Sequence, residues 1–222
     1  MTENEKKQNG LMEVVFILDR SGSMSGLEAD TIGGFNSMLK RQKEEGGRVI
    51  WSTVLFDTDQ KVIHNRVPVE QVEPLTEREY YAGGCTALLD AVGRAITHIG
   101  YAHKFAEAGR VPEKTLFVIT TDGMENASRE YSYSRVSEMI RHETEKYGWE
   151  FLFLGANIDA ADVGSRMGIR EDRSFNFHND REGIRKNYHA VGGLMSAMVR
   201  DKAAPYEAME EVREDYRKRK KK

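Results

Sequence analysis

A carboxylate and two hydroxyls stand at alternate positions in Asp19-Arg20-Ser21-Gly22-Ser23. Gly22 lets such a loop turn tightly, so that the oxygens of Asp19, Ser21 and Ser23 can face one point. A second carboxylate, Asp122, follows the apolar run TLFVIT and one further threonine, and Gly123 follows it directly. A third hydroxyl, Thr86, sits in GGCTALLDA at the end of a glycine-containing loop. These are all hard oxygen donors, with no His or Cys among them. Such a set suits a small hard divalent cation that keeps some of its waters, Mg²⁺ first and Mn²⁺ second. Two carboxylates only just neutralise a divalent ion. The ion would stay electrophilic and could accept a carboxylate from a partner.

Bringing these residues together requires particular elements. Residues 12–18 (MEVVFIL) form a short apolar run rich in β-branched residues that stops at Asp19. That pattern predicts a buried parallel strand with a polar group at its carboxyl end. Residues 115–120 repeat the pattern and end beside Asp122. Strands are also expected at 48–56, 61–67, 149–154 and 173–177, the one at 61–67 returning antiparallel after a turn. Helices are expected at 27–45, 86–107, 133–147, 160–167 and 181–200, with Gly46-Gly47 ending the first. Apolar strands alternating with amphipathic helices give an α/β doubly wound sheet of about six strands, mostly parallel, with one antiparallel edge strand and helices on both faces. Ligands of such sheets lie outside the carboxyl ends of the strands, near the point where strand order reverses. If the strands ending at Asp19 and Asp122 are neighbours, their carboxylates meet there.

The composition narrows the alternatives. The 222 residues are 39% hydrophobic and 31% charged, which fits one domain with an appendage. Residues 1–10 read as a flexible N-terminus, 11–203 as the domain, and 204–222 as a charged, basic C-terminal helix and tail. Lys and Arg number 33 against 36 Asp and Glu, for a net charge of −3. The last six residues are all basic; without them the balance is 27 against 36, a net −9. An acidic body argues against general nucleic-acid binding, which leaves residues 217–222 as the segment suited to it. The single Cys85 permits no internal disulfide and no cysteine-based zinc or iron–sulfur site. No run of about 18 apolar residues suggests a membrane span, and residues 1–10 carry no apolar signal core. A reducing, cytoplasmic setting is therefore expected.

The full constellation resembles the von Willebrand factor type A domain with its metal-ion-dependent adhesion site. That family's pattern is Asp-x-Ser-x-Ser followed by a distant Thr and a distant Asp. Asp19, Ser21 and Ser23 match the first part, Thr86 the threonine and Asp122 the second aspartate. The likeness covers roughly residues 11–200 and looks most like small single-domain bacterial or phage members. It implies a Rossmann-like fold in which Ser21, Ser23 and Thr86 bind metal through their hydroxyls. Asp19 and Asp122 would act partly through bridging waters. It further implies a non-enzymatic protein-binding module whose partner supplies an Asp or Glu carboxylate. Gly22, Gly84, Cys85, Gly123, Glu125 and Asn126, which flank the ligands, are the expected partner-facing residues.

Blander readings stand beside each of these. Asp19 and Asp122 could cap loops, and Ser21 and Ser23 could bond within their own turn. Cys85 is expected to be a small buried packing thiol rather than a nucleophile. Asp90, four residues after Thr86, would support that loop, and Asn126 would orient the Asp122 loop or simply make a turn. Tyr80 and Tyr81 either line a binding face or pack the loop down. The six histidines are scattered without metal-ligand spacing. A metal-dependent hydrolase or phosphatase is the alternative function. Aspartyl-phosphate chemistry, however, needs a second Asp where Ser21 stands, and no Walker loop is present. A nucleic-acid-associated protein acting through its basic tail is the other alternative.

Overall fold

A computed structural model describes residues 10–107, 109–201 and 205–220. Six strands form one sheet: β1 (Met12–Asp19), β2 (Val49–Phe56), β3 (Gln60–Pro68), β4 (Lys114–Thr121), β5 (Glu150–Ala156) and β6 (Ser174–Phe177). Their order is β3-β2-β1-β4-β5-β6. All neighbours pair in parallel except β2 and β3, so the antiparallel strand is at one edge, as the sequence predicts. The chain runs outward from β1 in one direction and from β4 in the other. The order therefore reverses between the two strands that end at Asp19 and Thr121.

Both faces of the sheet are covered. Met12, Val14, Phe16 and Leu18 point to one side, against α1 (Glu28–Glu45) and α5 (Arg181–Val199). Val15 and Ile17 point to the other, against α2 (Leu88–Lys104), α3 (Tyr133–Tyr147) and α4 (Ala160–Arg166). A strand buried on both faces has no polar alternation, which is why these segments read as unbroken apolar runs. Phe16 stacks on Trp51 at 4.6 Å between centroids, with Phe35 of α1 edge-on to both rings. This aromatic cluster anchors the base of the first strand pair.

Helix ends carry the expected chemistry. Gly46 and Gly47 follow α1 with φ of +69° and +121°. Ser132 and Asp180 cap α3 and α5 by accepting backbone N–H bonds. The second long helix begins at Leu88, not at Thr86, and ends at Lys104. Thr86 is kept out of it because Asn126 holds both its backbone N–H and its carbonyl. The edge strand starts at Ser174, after a single 3₁₀ turn over Glu171–Arg173.

The charged C-terminal segment docks through a few residues while Arg217, Lys218 and Lys220 stay exposed. A 3₁₀ turn (Pro205–Met209) leads into α6 (Glu210–Lys220), and Met209 and Val212 are buried against the sheet and α5. Arg173 lies over the Tyr206 ring and Arg213 over Phe175, closing the β6 edge. Of the basic stretch 217–222, Lys218 pairs with Glu214, Arg219 with Asp180 and Asp215, and Lys220 lies over the Tyr216 ring. Residues 1–9, 108, 202–204, 221 and 222 lie outside the described residues, and with them most of the expected N-terminal arm. No helix among the described residues is long and apolar enough to cross a membrane.

Candidate metal site

Three loops meet where the strand order reverses, and backbone hydrogen bonds lace them together. Arg20 N–H donates to the Phe56 carbonyl (2.8 Å), Gly22 N–H to Gly84 (3.1 Å) and Gly83 N–H to Arg20 (2.9 Å). Ala87 N–H reaches Asp57 (2.9 Å), and Asn126 N–H reaches Thr86 (3.0 Å). Gly84 has φ of +74°, and a Cβ there would stand 2.8 Å from Thr58 Oγ1, so both its conformation and its contact demand glycine. Gly22 instead opens a 3₁₀ turn (Gly22–Met24) at ordinary φ. The tight turn comes from the 3₁₀ geometry rather than from a left-handed residue.

All five expected ligands come together. Asp19, Ser21, Thr86 and Asp122 are each 3% exposed or less, while Ser23 stands at the open rim. Ser21 Oγ is 3.0 Å from Ser23 Oγ, and Ser23 Oγ donates to Asp122 Oδ1 at 2.5 Å. Asp19 accepts from Ser21 N–H at 2.7 Å and from the Thr121 hydroxyl at 2.5 Å. Gly123 defines the cradle. A Cβ placed on it would lie 2.8 Å from Thr86 Oγ1, 3.3 Å from Ser23 Oγ and 3.7 Å from Ser21 Oγ. Three hydroxyl oxygens from two loops therefore face one small space beside two carboxylates, with Gly123 of the third loop at its floor. A hydroxyl that gives its proton to a carboxylate keeps its lone pairs for a cation. The residues present fit a hard, oxygen-ligated divalent ion.

Electrostatics agree with that fit. Burial pushes the Asp19 carboxyl above its usual value, against the opposing pull of Ser21 and Thr121, and the charge of Asp122 adds to the rise. Burial likewise raises Asp122, against donors Ser23 and Asn179. Two buried carboxylates in one site, held by hydrogen bonds but paired with no cationic side chain among the described residues, carry negative charge that a divalent cation would neutralise. No group of three or more His, Cys, Asp or Glu with metal-holding geometry occurs among the described residues. The candidate site is thus made of hydroxyls as much as of charged groups.

The flanking residues divide into exposed and committed ones. Cys85 is exposed, not a packing thiol; its N–H donates to Thr58 Oγ1 (2.8 Å), which holds the loop tip outward. Glu125 accepts from the N–H groups of Leu89, Ala127 and Ser128, so it caps the start of α2. Asn126 Oδ1 accepts from Thr86 N–H (2.9 Å), so it fixes Thr86, a candidate ligand, rather than the Asp122 carboxylate. Tyr80 and Tyr81 take opposite roles. The buried Tyr80 hydroxyl donates to the Asp19 carbonyl (2.6 Å), while exposed Tyr81 covers the Arg20 guanidinium at 4.6 Å. Exposed Met124 stands beside Gly123 on the same rim.

Asp90 does not support the Thr86 loop. Its carboxylate accepts N–H bonds from Arg129, Glu130 and Tyr131, each at 2.9 Å. Burial raises its carboxyl, but these three donors and the Arg94 charge outweigh it and hold the group below the usual range. Its contribution is present above the unfolded-state value and is lost as pH falls through the folded one. Asp90→Ala is expected to destabilise the protein by about 2–3 kcal/mol at pH 7. Thermal melts would read that as a Tm lower by roughly 4–12 °C.

Two residues that orient the candidate ligands carry no mark in the sequence pattern that identifies the site. Thr121 donates to Asp19, and the Asn179 side-chain amide donates to Asp122 Oδ2 at 2.9 Å. Thr121 directly precedes Asp122 and could have been read from its place at the strand end. Asn179 lies 57 positions away in sequence, and no local pattern marks it.

No family model and no curated protein matches the chain. Solved structures do. The PilB minor pilin from Streptococcus sanguinis superposes with a TM-score of 0.59 at 13% identity, over 86% of this chain and 62% of that one. Proximal thread matrix protein 1 from the mussel byssus, with a zinc-occupied MIDAS motif, gives 0.59 at 16% identity, over 85% and 46%. The vWF domain of the type V pili tip protein Mfa5 from Porphyromonas gingivalis gives 0.56 at 8% identity, over 82% and 95%. The chain thus spans less than two thirds of the first two proteins and nearly all of the third domain. At these identities the likeness speaks to architecture alone, and by that architecture the chain has a von Willebrand factor type A fold.

Proposed function

We propose that this chain is a metal-dependent protein-binding module. Its site takes a divalent cation, Mg²⁺ in the first place and Mn²⁺ in the second, and a partner's Asp or Glu side chain completes the coordination. The observation that carries this reading is the convergence of the Ser21, Ser23 and Thr86 hydroxyls on the Gly123 cradle beside Asp19 and Asp122. A bound cation would supply an electrophilic position for a carboxylate oxygen. Ser21, Ser23 and Thr86 hold lone pairs toward that position, Asp19 and Asp122 supply the charge, and Thr121 and Asn179 orient the carboxylates. Exposed Cys85, Met124 and Tyr81 give the incoming partner a partly apolar rim.

A binding role is supported over catalysis by how the carboxylates are engaged. Asp19 accepts from Ser21 and Thr121, and Asp122 from Ser23 and Asn179, so both already serve as acceptors and neither stands free as a general base. The paired basic residues of α6 likewise favour a protein partner over nucleic acid. A cytoplasmic setting belongs to the same proposal and rests on the single free cysteine.

The test is calorimetric titration of the chelator-stripped chain with Mg²⁺ and with Mn²⁺, beside Asp122→Ala. Binding to the wild type alone is expected. With Mn²⁺ bound, millimolar acetate serves as a minimal carboxylate. It is expected to lower water-proton relaxation as it displaces a metal-bound water. Equal binding by Asp122→Ala would overturn the site assignment. Metal binding without an acetate response would overturn the open coordination position.

A further inference from the structure

We infer that Asn179 is a positioning residue for Asp122 and that the C-terminal helix α6 fixes Asn179 in place, so that the seating of α6 sets the metal affinity of the site. The inference rests on the metal-site reading and deepens it.

Asp122 Oδ1 takes the Ser23 hydroxyl, and Oδ2 takes the Asn179 amide at 2.9 Å. These two donors fix the plane of the carboxylate. Ser23 is itself an expected ligand, so its hydroxyl would be shared between a cation and Asp122 when the site fills. Asn179 is the donor that does not depend on the site's own loops. It comes from the turn between β6 and α5, on the opposite side of Asp122. Its own Oδ1 is buried with no hydrogen-bond partner among the described residues, while its Nδ2 donates to Asp122.

Both neighbours of Asn179 are gripped by α6. His178 Nε2 donates to the Tyr216 carbonyl at 3.2 Å, and its ring lies 4.8 Å from the Tyr216 ring. Arg219 donates to Asp180 Oδ2 at 2.6 Å, while Asp180 Oδ1 caps Gly183 N–H at 2.8 Å. Gly183 lets the first turn of α5 close onto the His178 carbonyl, where any Cβ would collide. Arg219 also bonds Asp215, which pairs in turn with Lys186 of α5. The contacts are contiguous from α6 through His178 and Asp180 to Asn179 and Asp122. Partners that orient a metal ligand in this way commonly set affinity by 10–100-fold.

The experiment titrates Mn²⁺ into the full chain as wild type, Asn179→Ala, Asn179→Gln and Arg219→Ala, with the metal-free Tm of each measured alongside. Asn179→Ala is expected to bind about 10–100-fold more weakly. Asn179→Gln, which keeps an amide donor, is expected to recover part of that loss. Arg219→Ala touches no ligand and is expected to weaken binding roughly 2–30-fold. Affinity in Asn179→Ala within twofold of the wild type overturns the inference. So does a loss that Gln does not relieve and that follows the fall in metal-free Tm, because that is the mark of a folding effect. If the wild type binds no Mn²⁺, the metal reading itself fails. The Asn179–Asp122 tie is then decided by the metal-free Tm values of Asn179→Ala, Asp122→Ala and the double variant. Non-additive shifts uphold it, and additive shifts overturn it.

Discussion

Gly123→Ala is expected to weaken Mg²⁺ and Mn²⁺ binding by about 10–100-fold while removing no candidate ligand. The added Cβ would stand 2.8 Å from Thr86 Oγ1, closer than a carbon and an oxygen can rest without one of them moving. Thr86 cannot retreat easily, because Asn126 holds its N–H at 2.9 Å and its carbonyl at 3.0 Å. Metal–oxygen distances tolerate changes of only about 0.2 Å. A methyl group that displaces Thr86 and fills the space between three hydroxyls therefore acts on affinity far more than on folding. The backbone at Gly123 is outside the positive-φ region, so alanine brings no conformational strain. Gly22→Ala is the matched control. Its Cβ would meet only the Gly84 carbonyl, at an ordinary 3.4 Å, and affinity within about threefold of the wild type is expected. Calorimetry on the two variants reads the difference directly. Unchanged binding in Gly123→Ala would mean that the hydroxyls do not face the metal.

The contrast between Gly123 and Asn179 shows what was legible in the sequence. The strands ending at Asp19 and Thr121 could be read because burial on both faces forces unbroken apolar runs that stop where the ligands begin. Their adjacency is only a condition at the level of sequence, and the sheet order meets it by pairing β1 with β4, which brings Asp19 and Asp122 together. The start of α2 was placed two residues early because helical spacing is blind to a side chain 40 positions away. It is Asn126 that pulls Thr86 out of the helix. Cys85 was expected inside because a lone thiol usually packs, yet the loop tip is held outward by Thr58. The docking of the C-terminal segment is not legible in the sequence, because its buried anchors, Met209 and Val212, are two apolar residues in a charged stretch, too few to show a periodicity. Local pattern thus marks the candidate ligands and the elements bearing them. The residues that orient these candidates act across the sheet, and only the folded chain displays them.

Asp19→Asn is expected to abolish metal binding and, in the same protein, to raise the Tm of the metal-free form. Asp19 is 2% exposed, and Asp122 is near enough to add to the rise in its pKa. Burying that charge next to another disfavours the folded state whenever no cation is bound. Asparagine keeps the shape and one acceptor for Ser21 N–H. Thr121, which already lies 3.1 Å from the Gly123 carbonyl, can turn its proton there and accept from the new amide. The expected gain is about 1–2 kcal/mol near pH 7. That is a Tm increase of roughly 2–8 °C for a chain of this size. The sign of the pH dependence separates this account from a simple packing effect. Because the folded-state pKa of Asp19 is raised, its contribution to stability is fully present below the unfolded value and is lost as pH rises through the folded one. Metal-free wild type should therefore lose stability relative to Asp19→Asn as pH rises from about 4 toward 7, with the gap closing in acid. Metal reverses the order. It needs the ionised carboxylate, so saturating Mn²⁺ should stabilise the wild type increasingly as pH rises and leave Asp19→Asn unmoved. Melting curves of the two proteins at several pH values, with chelator and with Mn²⁺, test both halves. An Asp19→Asn variant less stable than metal-free wild type at pH 7 would show that Asp19 serves the fold rather than a cation.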